Sequence, residues 1–285
     1  MNKTIYNDLD NNAIRFSKVK KIEGEMPFSG VGIKYVAFGE EIYYANDKKY
    51  TVKAGEYIIG NEFTSAIVQV NQPEPAQGLC IDISNQIITE VADYHTLSSE
   101  DLSQFLLSDQ FFVNKYKAKN TSLGYSINEI NHKIISGTIE DELLRNELFY
   151  SLAESIVTDQ RFVFDHLNKL DFKKINTNEE VFRALLAAKE YIDEQLLEQL
   201  SLDKISNEIG ISKYHFIRLF KNTFGISPYQ YLKRKKLQLA KQELVLGKPI
   251  AEITFQLGFA DTPTFTKAFK QEFGISPGQM KKSNF

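Results

Sequence analysis

Phe216-Ile-Arg-Leu-Phe-Lys-Asn-Thr-Phe-Gly-Ile-Ser-Pro228 is written a second time, 49 positions on, as Phe265-Thr-Lys-Ala-Phe-Lys-Gln-Glu-Phe-Gly-Ile-Ser-Pro277. The phenylalanines, the lysine after the second of them and the Phe-Gly-Ile-Ser-Pro ending are shared. Upstream, Ile205, Ile209 and Gly210 pair with Ile253, Leu257 and Gly258 at a separation of 48, so the second copy carries one extra residue in its turn. Two helices joined by a tight glycine turn, present twice near one end of a chain, predict an all-α double helix-turn-helix.

Each copy has an inner and an outer face. In the first, Ser201 is placed to cap a short helix from Leu202 to Ile209, Gly210-Ile211 makes the turn, and Ser212 caps the next helix, Lys213 to Phe224. Phe216, Leu219, Phe220 and Phe224 form a core face, and Tyr214, Ile217, Arg218 and Lys221 form the opposite stripe at i, i+3, i+4 and i+7. In the second copy Phe265, Ala268, Phe269 and Phe273 turn inward, while Pro263, Thr266, Lys267 and Lys270 take the outward places. Arg218 therefore matches Lys267, and Lys221 matches Lys270.

A helix fits the major groove of B-DNA, where Arg or Lys donates to guanine O6 and N7 and apolar atoms touch the thymine methyl. Arg218 and Lys267 suit the first role, and Tyr214, Ile217 and Thr266 the second. Lys213, Lys221 and Lys270, with Ser212 at the helix start, suit phosphates, which give salt-dependent affinity without sequence information. A solvated face is the competing reading for any single lysine. It is weaker for Arg218, which lies beside outward Ile217 and Tyr214.

Between the copies, Ser227-Pro228 opens and Gly247-Lys-Pro249 closes a helix of about 19 residues, roughly 28 Å at ~1.5 Å per residue. Adjacent major grooves on one face of DNA lie about 34 Å apart, so a rigid spacer of this length bends the DNA or leaves one helix partly engaged. Lys233-Arg-Lys-Lys236 lies on this spacer, and four adjacent charges cannot all face one way, so some belong to solvated surface or to the core edge.

The charge distribution points the same way. The chain of 285 residues has a formal net charge of -3, yet residues 200–285 hold 14 Lys+Arg against 6 Asp+Glu, leaving 20 against 31 elsewhere. A basic end on an acidic body directs that end to a polyanion. Composition is otherwise that of a globular protein, 42% hydrophobic and 25% charged, and the length allows two cores. The start lacks a signal pattern and no apolar run approaches the ~18 residues of a membrane span, so a cytosolic chain without membrane contact is expected.

Cys80, the one cysteine, excludes an internal disulfide and a multi-cysteine zinc site. It lies in the strand-like Gly78-Leu-Cys-Ile-Asp-Ile83 and reads as a small buried hydrophobe. His95, His132, His166 and His215 are scattered, with none among the strand-like segments, so neither a metal nor another cofactor is expected.

From about Ile14 to Ile83 the pattern is β-rich. Val31–Phe38, Glu41–Ala45, Tyr50–Lys53, Tyr57–Gly60 and Ala66–Val70 are short, aromatic and β-branched, with turns between them, which suggests a small sandwich or barrel. Helical periodicity follows, through Ile87, Ile88, Val91, Leu102 and Phe105, then from about Ser122 to Ile135 and from Glu140 to Leu167. The last carries Leu143, Leu144, Leu148, Leu152 and Ile156, a stripe that packs on the β-rich part or pairs two chains. Residues 171–180 are polar and aperiodic and read as a linker, with the next helix starting near Val181 and running through Leu196. The resulting architecture is α+β in two domains: 1–170 β-rich with helices following, and 181–285 the double helix-turn-helix.

The carboxy-terminal residues resemble the AraC/XylS family of bacterial transcription regulators over roughly Val181 to Met280. The likeness rests on Ile205…Ile209-Gly210, Ser212-Lys-Tyr-His-Phe216, Leu219-Phe-Lys221, Phe224-Gly-Ile-Ser-Pro228, Tyr231-Leu232…Leu237…Ala240, Ile250-Ala…Ile253…Leu257-Gly-Phe259, Phe265…Phe269-Lys270 and Phe273-Gly-Ile-Ser-Pro277. The resemblance implies recognition helices in adjacent major grooves of promoter DNA, with Tyr214, Ile217 and Arg218 at base-contacting positions of the first and Thr262, Pro263, Thr264, Thr266 and Lys267 at those of the second. It also implies RNA polymerase as a partner, a cupin-like amino-terminal domain, best matched by Tyr50–Ile58, and gating through a small-molecule effector, a protein partner or a homodimer. Two departures stand out. Met280 and Lys281 replace an aromatic residue and an arginine, and Pro263 has no hydrogen-bond donor for a base, so the second helix is expected to discriminate less.

What the amino-terminal half binds is left open. Tyr35, Tyr43 and Tyr57 line an aromatic pocket or fill the β core. Three readings of the whole follow. The first is a sequence-specific activator. The second is a DNA-targeted enzyme, such as an alkyl-transfer repair protein using Cys80, which needs a low-pKa thiol near basic groups. The third is a β-rich sensor that only sequesters a partner, in which residues 180–285 alone do not bind DNA.

Overall fold

The computed structural model describes residues 2–95, 99–138, 146–170, 175–198 and 200–283. It divides into two compact units, Met1–Asp165 and His166–Phe285.

The first unit carries β1 (Asn2–Asn7), β2 (Ala13–Glu25), β3 (Val31–Phe38), β4 (Glu40–Ala45), β5 (Lys48–Lys53), β6 (Glu56–Asn61), β7 (Ala66–Ile83) and β8 (Asn114–Lys117). They form one antiparallel sheet in the order β1-β2-β7-β3-β6-β8, with β4 branching from β7 and β5 paired to β4. The branch is made by β7, whose first residues pair with β4 and whose last residues pair with β3. Its ladder to β2 breaks between Asn71 and Ala76, where Pro73 and Pro75 have no N–H to contribute. β6 is buried along its whole length, so both of its faces are covered. The five expected strands are all present. β1 and the full extent of β2 were not anticipated, because β2 mixes six charged residues into its alternation.

The helices are α1 (Asn85–His95), α2 (Ser99–Leu106), α3 (Ser122–Ser136) and α4 (Asn146–Leu167). Thr121 caps α3 by accepting from the Gly124 N–H, and Asp159 of α4 accepts from Ser122 and Leu123. Gly124 is required there, since an added Cβ would stand 2.2 Å from the Ala118 carbonyl oxygen. Of the expected stripe, Leu152 and Ile156 are buried, which is the core alternative, and Leu148 is half-buried; Leu143 and Leu144 lie outside the described residues. Tyr35, Tyr43 and Tyr57 are also core residues. Their hydroxyls donate to Asn128 Oδ1 (2.6 Å), Glu41 Oε2 (2.5 Å) and Thr121 Oγ1 (3.0 Å), which removes the cost of burying them.

The second unit contains α5 (Ile175–Glu194), α6 (Leu202–Glu208), α7 (Lys213–Phe224), α8 (Pro228–Val245), α9 (Ile250–Gln256), α10 (Thr262–Phe273) and α11 (Pro277–Ser283). Residues 175–180, read as linker, are the first turns of α5, and α5 stops at Glu194 short of Leu196. Residues 171–174 lie outside the described residues. The spacer α8 has 18 residues, about 27 Å at ~1.5 Å each.

The repeat is reproduced in three dimensions. Ring centroids of Phe216 and Phe220 lie 5.5 Å apart and those of Phe220 and Phe224 4.6 Å, against 5.6 Å and 4.6 Å for Phe265, Phe269 and Phe273. Ser227 and Gln230 close a capping box at the start of α8, and Ser276 and Gln279 make the same two bonds at α11. Met280, one of the departures from the family pattern, is buried in the second core, the cluster that also holds Leu237 and Phe269.

Candidate nucleic-acid interface

The outward stripes emerge as two exposed faces. On α7, Tyr214 is 86% exposed, Arg218 and Lys221 are exposed and Ile217 is half-buried. On α10, Thr262, Pro263, Thr264, Lys267 and Lys270 are exposed and Thr266 is half-buried. Arg218, Lys221, Lys267 and Lys270 make no ion pair or hydrogen bond among the described residues, so their charges are directed to solvent.

The helix starts differ from expectation. Ser212 occupies the N-cap of α7 but its side chain makes no capping bond. Lys213, expected on a phosphate, donates to Asp203 Oδ2 at 2.7 Å, an exposed pair of the kind that contributes little to stability. At the matching position of the second copy stands Asp261, which was not singled out. Its carboxylate accepts from the Thr264 N–H at 2.6 Å, and these bonds to Thr264 hold it below the ordinary carboxylate range. An acidic residue at a helix start was a legible cap signal.

The basic run of the spacer is engaged inside the unit. Arg234 Nε donates to Glu272 of α10 (2.6 Å), Lys236 Nζ to the Leu257 carbonyl that closes α9 (2.8 Å), and Lys235 lies 3.3 Å from Asp193 of α5. Asp193 also accepts the Tyr231 hydroxyl at 2.9 Å on both oxygens. Lys281 donates to the carbonyls of Gly247 (2.8 Å) and Lys248 (3.2 Å), holding α11 against the end of α8. One stretch of α8 is thus tied to α5 and to both helices of the second copy.

These features have counterparts in known proteins. Residues 205–283 match the family model described as a helix-turn-helix domain. LumQ of Photobacterium leiognathi, described as a probable transcriptional regulator, is 31% identical over 155 residues, 54% of this chain and 60% of LumQ. The multiple antibiotic resistance protein MarA of Escherichia coli is 32% identical over 96 residues, 33% of this chain and 76% of MarA. The chain belongs to the AraC/XylS family of DNA-binding transcriptional regulators. A crystal structure from Chromobacterium violaceum, titled as an AraC-type transcriptional regulator, aligns at 28% identity with a TM-score of 0.35, covering 36% of this chain and 94% of its own. This AraC/XylS member thus spans 60% of LumQ and 76% of MarA.

Cys80 does not have the setting that alkyl transfer needs. Burial pushes its thiol above the ordinary range, and the neighbouring Lys34 opposes this only in part. Asp82, two residues on, is buried and takes Arg15 and Lys34 as ionic partners. Among the described residues no group of acidic, histidine and cysteine side chains could hold a metal ion, and no helix is long and apolar enough to cross a membrane.

Proposed function

We propose that this chain is a sequence-specific transcriptional activator whose two recognition helices, α7 and α10, read adjacent major grooves of promoter DNA. The observation that carries the reading is the matched pair of cations, Arg218 and Lys267, exposed at equivalent places and unengaged within the described residues. Tyr214, Ile217 and Arg218 contact bases from α7; Thr262, Pro263, Thr264, Thr266 and Lys267 do so from α10. Lys221, Lys270 and Ser212 take phosphates, and Lys213 exchanges Asp203 for a phosphate on binding. The α7 half-site is read more strictly, because Pro263 has no donor and Asp261 places a negative charge at the start of α10. No catalytic step belongs to this function. RNA polymerase is the partner, and the amino-terminal unit gates activity through an effector, a protein partner or homodimerisation.

Fluorescence anisotropy of the full chain on promoter DNA tests the reading. Binding tighter than to random duplex, with log affinity falling linearly in log salt, is expected. Equal affinity for both duplexes, or no salt dependence, refutes it.

A further inference from the structure

The two copies differ at one joint. In the second, the Lys236 ammonium lies on the Leu257 carbonyl, and a Cβ added at Gly258 would stand 3.7 Å from that nitrogen. The buried positions Leu185, Ala188 and Ile192 of α5 match Leu237, Ala240 and Leu244 of α8 at a constant separation of 52. That register puts Ala184 where the second copy has Lys236, while Ile209 answers to Leu257. Between them runs a groove of about 280 Å³ lined by Ala184, Ala187, Glu190, Tyr191, Glu194, Glu208 and Ile209. Among the described residues no side chain donates to the Ile209 carbonyl, and nothing lies within 4 Å of a Cβ added at Gly210.

We propose that this groove is a docking site for a lysine or arginine of the transcription machinery, an inference that rests on the activator reading. The second copy supplies the template, since it shows an ammonium lying on the equivalent helix-closing carbonyl. Charge selects the occupant, because three glutamates, Glu190, Glu194 and Glu208, border the groove. Position identifies its source. The groove ends at the Gly210 turn, two residues before Ser212 at the start of α7, so an occupant also lies beside the DNA, and proteins that lie on DNA present basic surfaces. Its volume suits one long side chain and falls below the roughly 300–1,000 Å³ of small-molecule pockets.

The experiment is promoter-dependent transcription by purified RNA polymerase holoenzyme with the full chain at saturating concentration, alongside DNA affinity and sedimentation. Ala184→Lys copies the joint of the second unit, so the chain's own lysine occupies the groove. Stimulation is expected to fall about tenfold, the scale of one charge-assisted hydrogen bond, with DNA affinity unchanged. The double variant Glu194→Gln/Glu208→Gln, which leaves Ala184 in place, should fall in the same direction. Full stimulation by both variants overturns the proposal. So does conversion of a dimer to a monomer by Ala184→Lys, which would make a second copy the occupant. If the wild-type chain binds its promoter but gives no stimulation, the activator reading itself fails and the docking site falls with it.

Discussion

Arg218→Ala separates base reading from every other role that this face can play. The side chain is exposed and has no intramolecular partner among the described residues, so its removal should change stability by no more than about 0.5 kcal/mol. The whole effect then falls on binding. One bidentate arginine–guanine pair contributes about 1–3 kcal/mol of discrimination. At about 1.4 kcal/mol per decade, the operator Kd should rise about 5- to 150-fold. The salt slope should change by less than about 0.9, the value of one phosphate contact. Competition anisotropy against operators altered one base pair at a time reads the result, and thermal unfolding serves as the control. The variant should become indifferent at one base pair under α7 while keeping its preferences elsewhere. An equal loss on random duplex would show that Arg218 serves a phosphate. An unfolding midpoint lowered in proportion to the affinity loss would show that it serves the fold. Either result refutes the assignment.

Three further outcomes are expected. Lys221→Ala and Lys270→Ala should each weaken binding to all sequences alike and lower the salt slope by about 0.9, whereas Lys213→Ala should lower it less, because Lys213 gives up Asp203 to reach DNA; salt titrations of the three variants check this. Lys236→Met removes a partly buried bond to the Leu257 carbonyl and should cost about 1 kcal/mol after solvent screening, lowering the thermal midpoint by about 4 °C in calorimetry. The Cys80 thiol, pushed up by burial, stays protonated to higher pH than a free thiol, so native labelling by a thiol reagent should be slower at pH 7 than that of a free thiol and quicken as pH rises. The same sign means that its contribution to stability is present below the unfolded thiol's range and is lost as pH rises through the folded one. Rapid labelling at neutral pH would contradict the raised thiol.

The second unit was legible because duplication makes sequence a record of packing: two sets of phenylalanines at the same spacing can only be two copies of one inner face. What escaped depends on distant partners. Nothing local in Lys233-Arg-Lys-Lys236 tells that Arg234 meets Glu272 or that Lys236 meets the Leu257 carbonyl, since each partner lies beyond a turn. Residue type also misled at the caps. Ser212 has the preferred hydroxyl but forms no capping bond, while Asp261, equally suited by charge, does. Residues 175–180 resemble a linker because a polar helix start lacks an apolar stripe. In the first unit, strand β2 carries lysines at positions that strict alternation would leave apolar, and the two prolines of β7 hid the continuity of that strand. The groove at Ala184 left no signal at all, because an alanine in a helix is the least informative residue there is.

The tethered spacer has a consequence for how such a protein can change. Asp193 fixes the first turns of α8 through Tyr231 and Lys235, while Arg234 and Lys236 fix the second copy. One residue inserted into this stretch would rotate everything beyond it by about 100° and advance it by about 1.5 Å. The far reading head would then face away from the duplex that the near one still holds. Insertions near seven residues, two turns with a drift of about 20°, restore the phase. The spacing of operator half-sites available to this protein is therefore quantised by helical pitch, and single-residue insertions or deletions in α8 should be absent from functional variants.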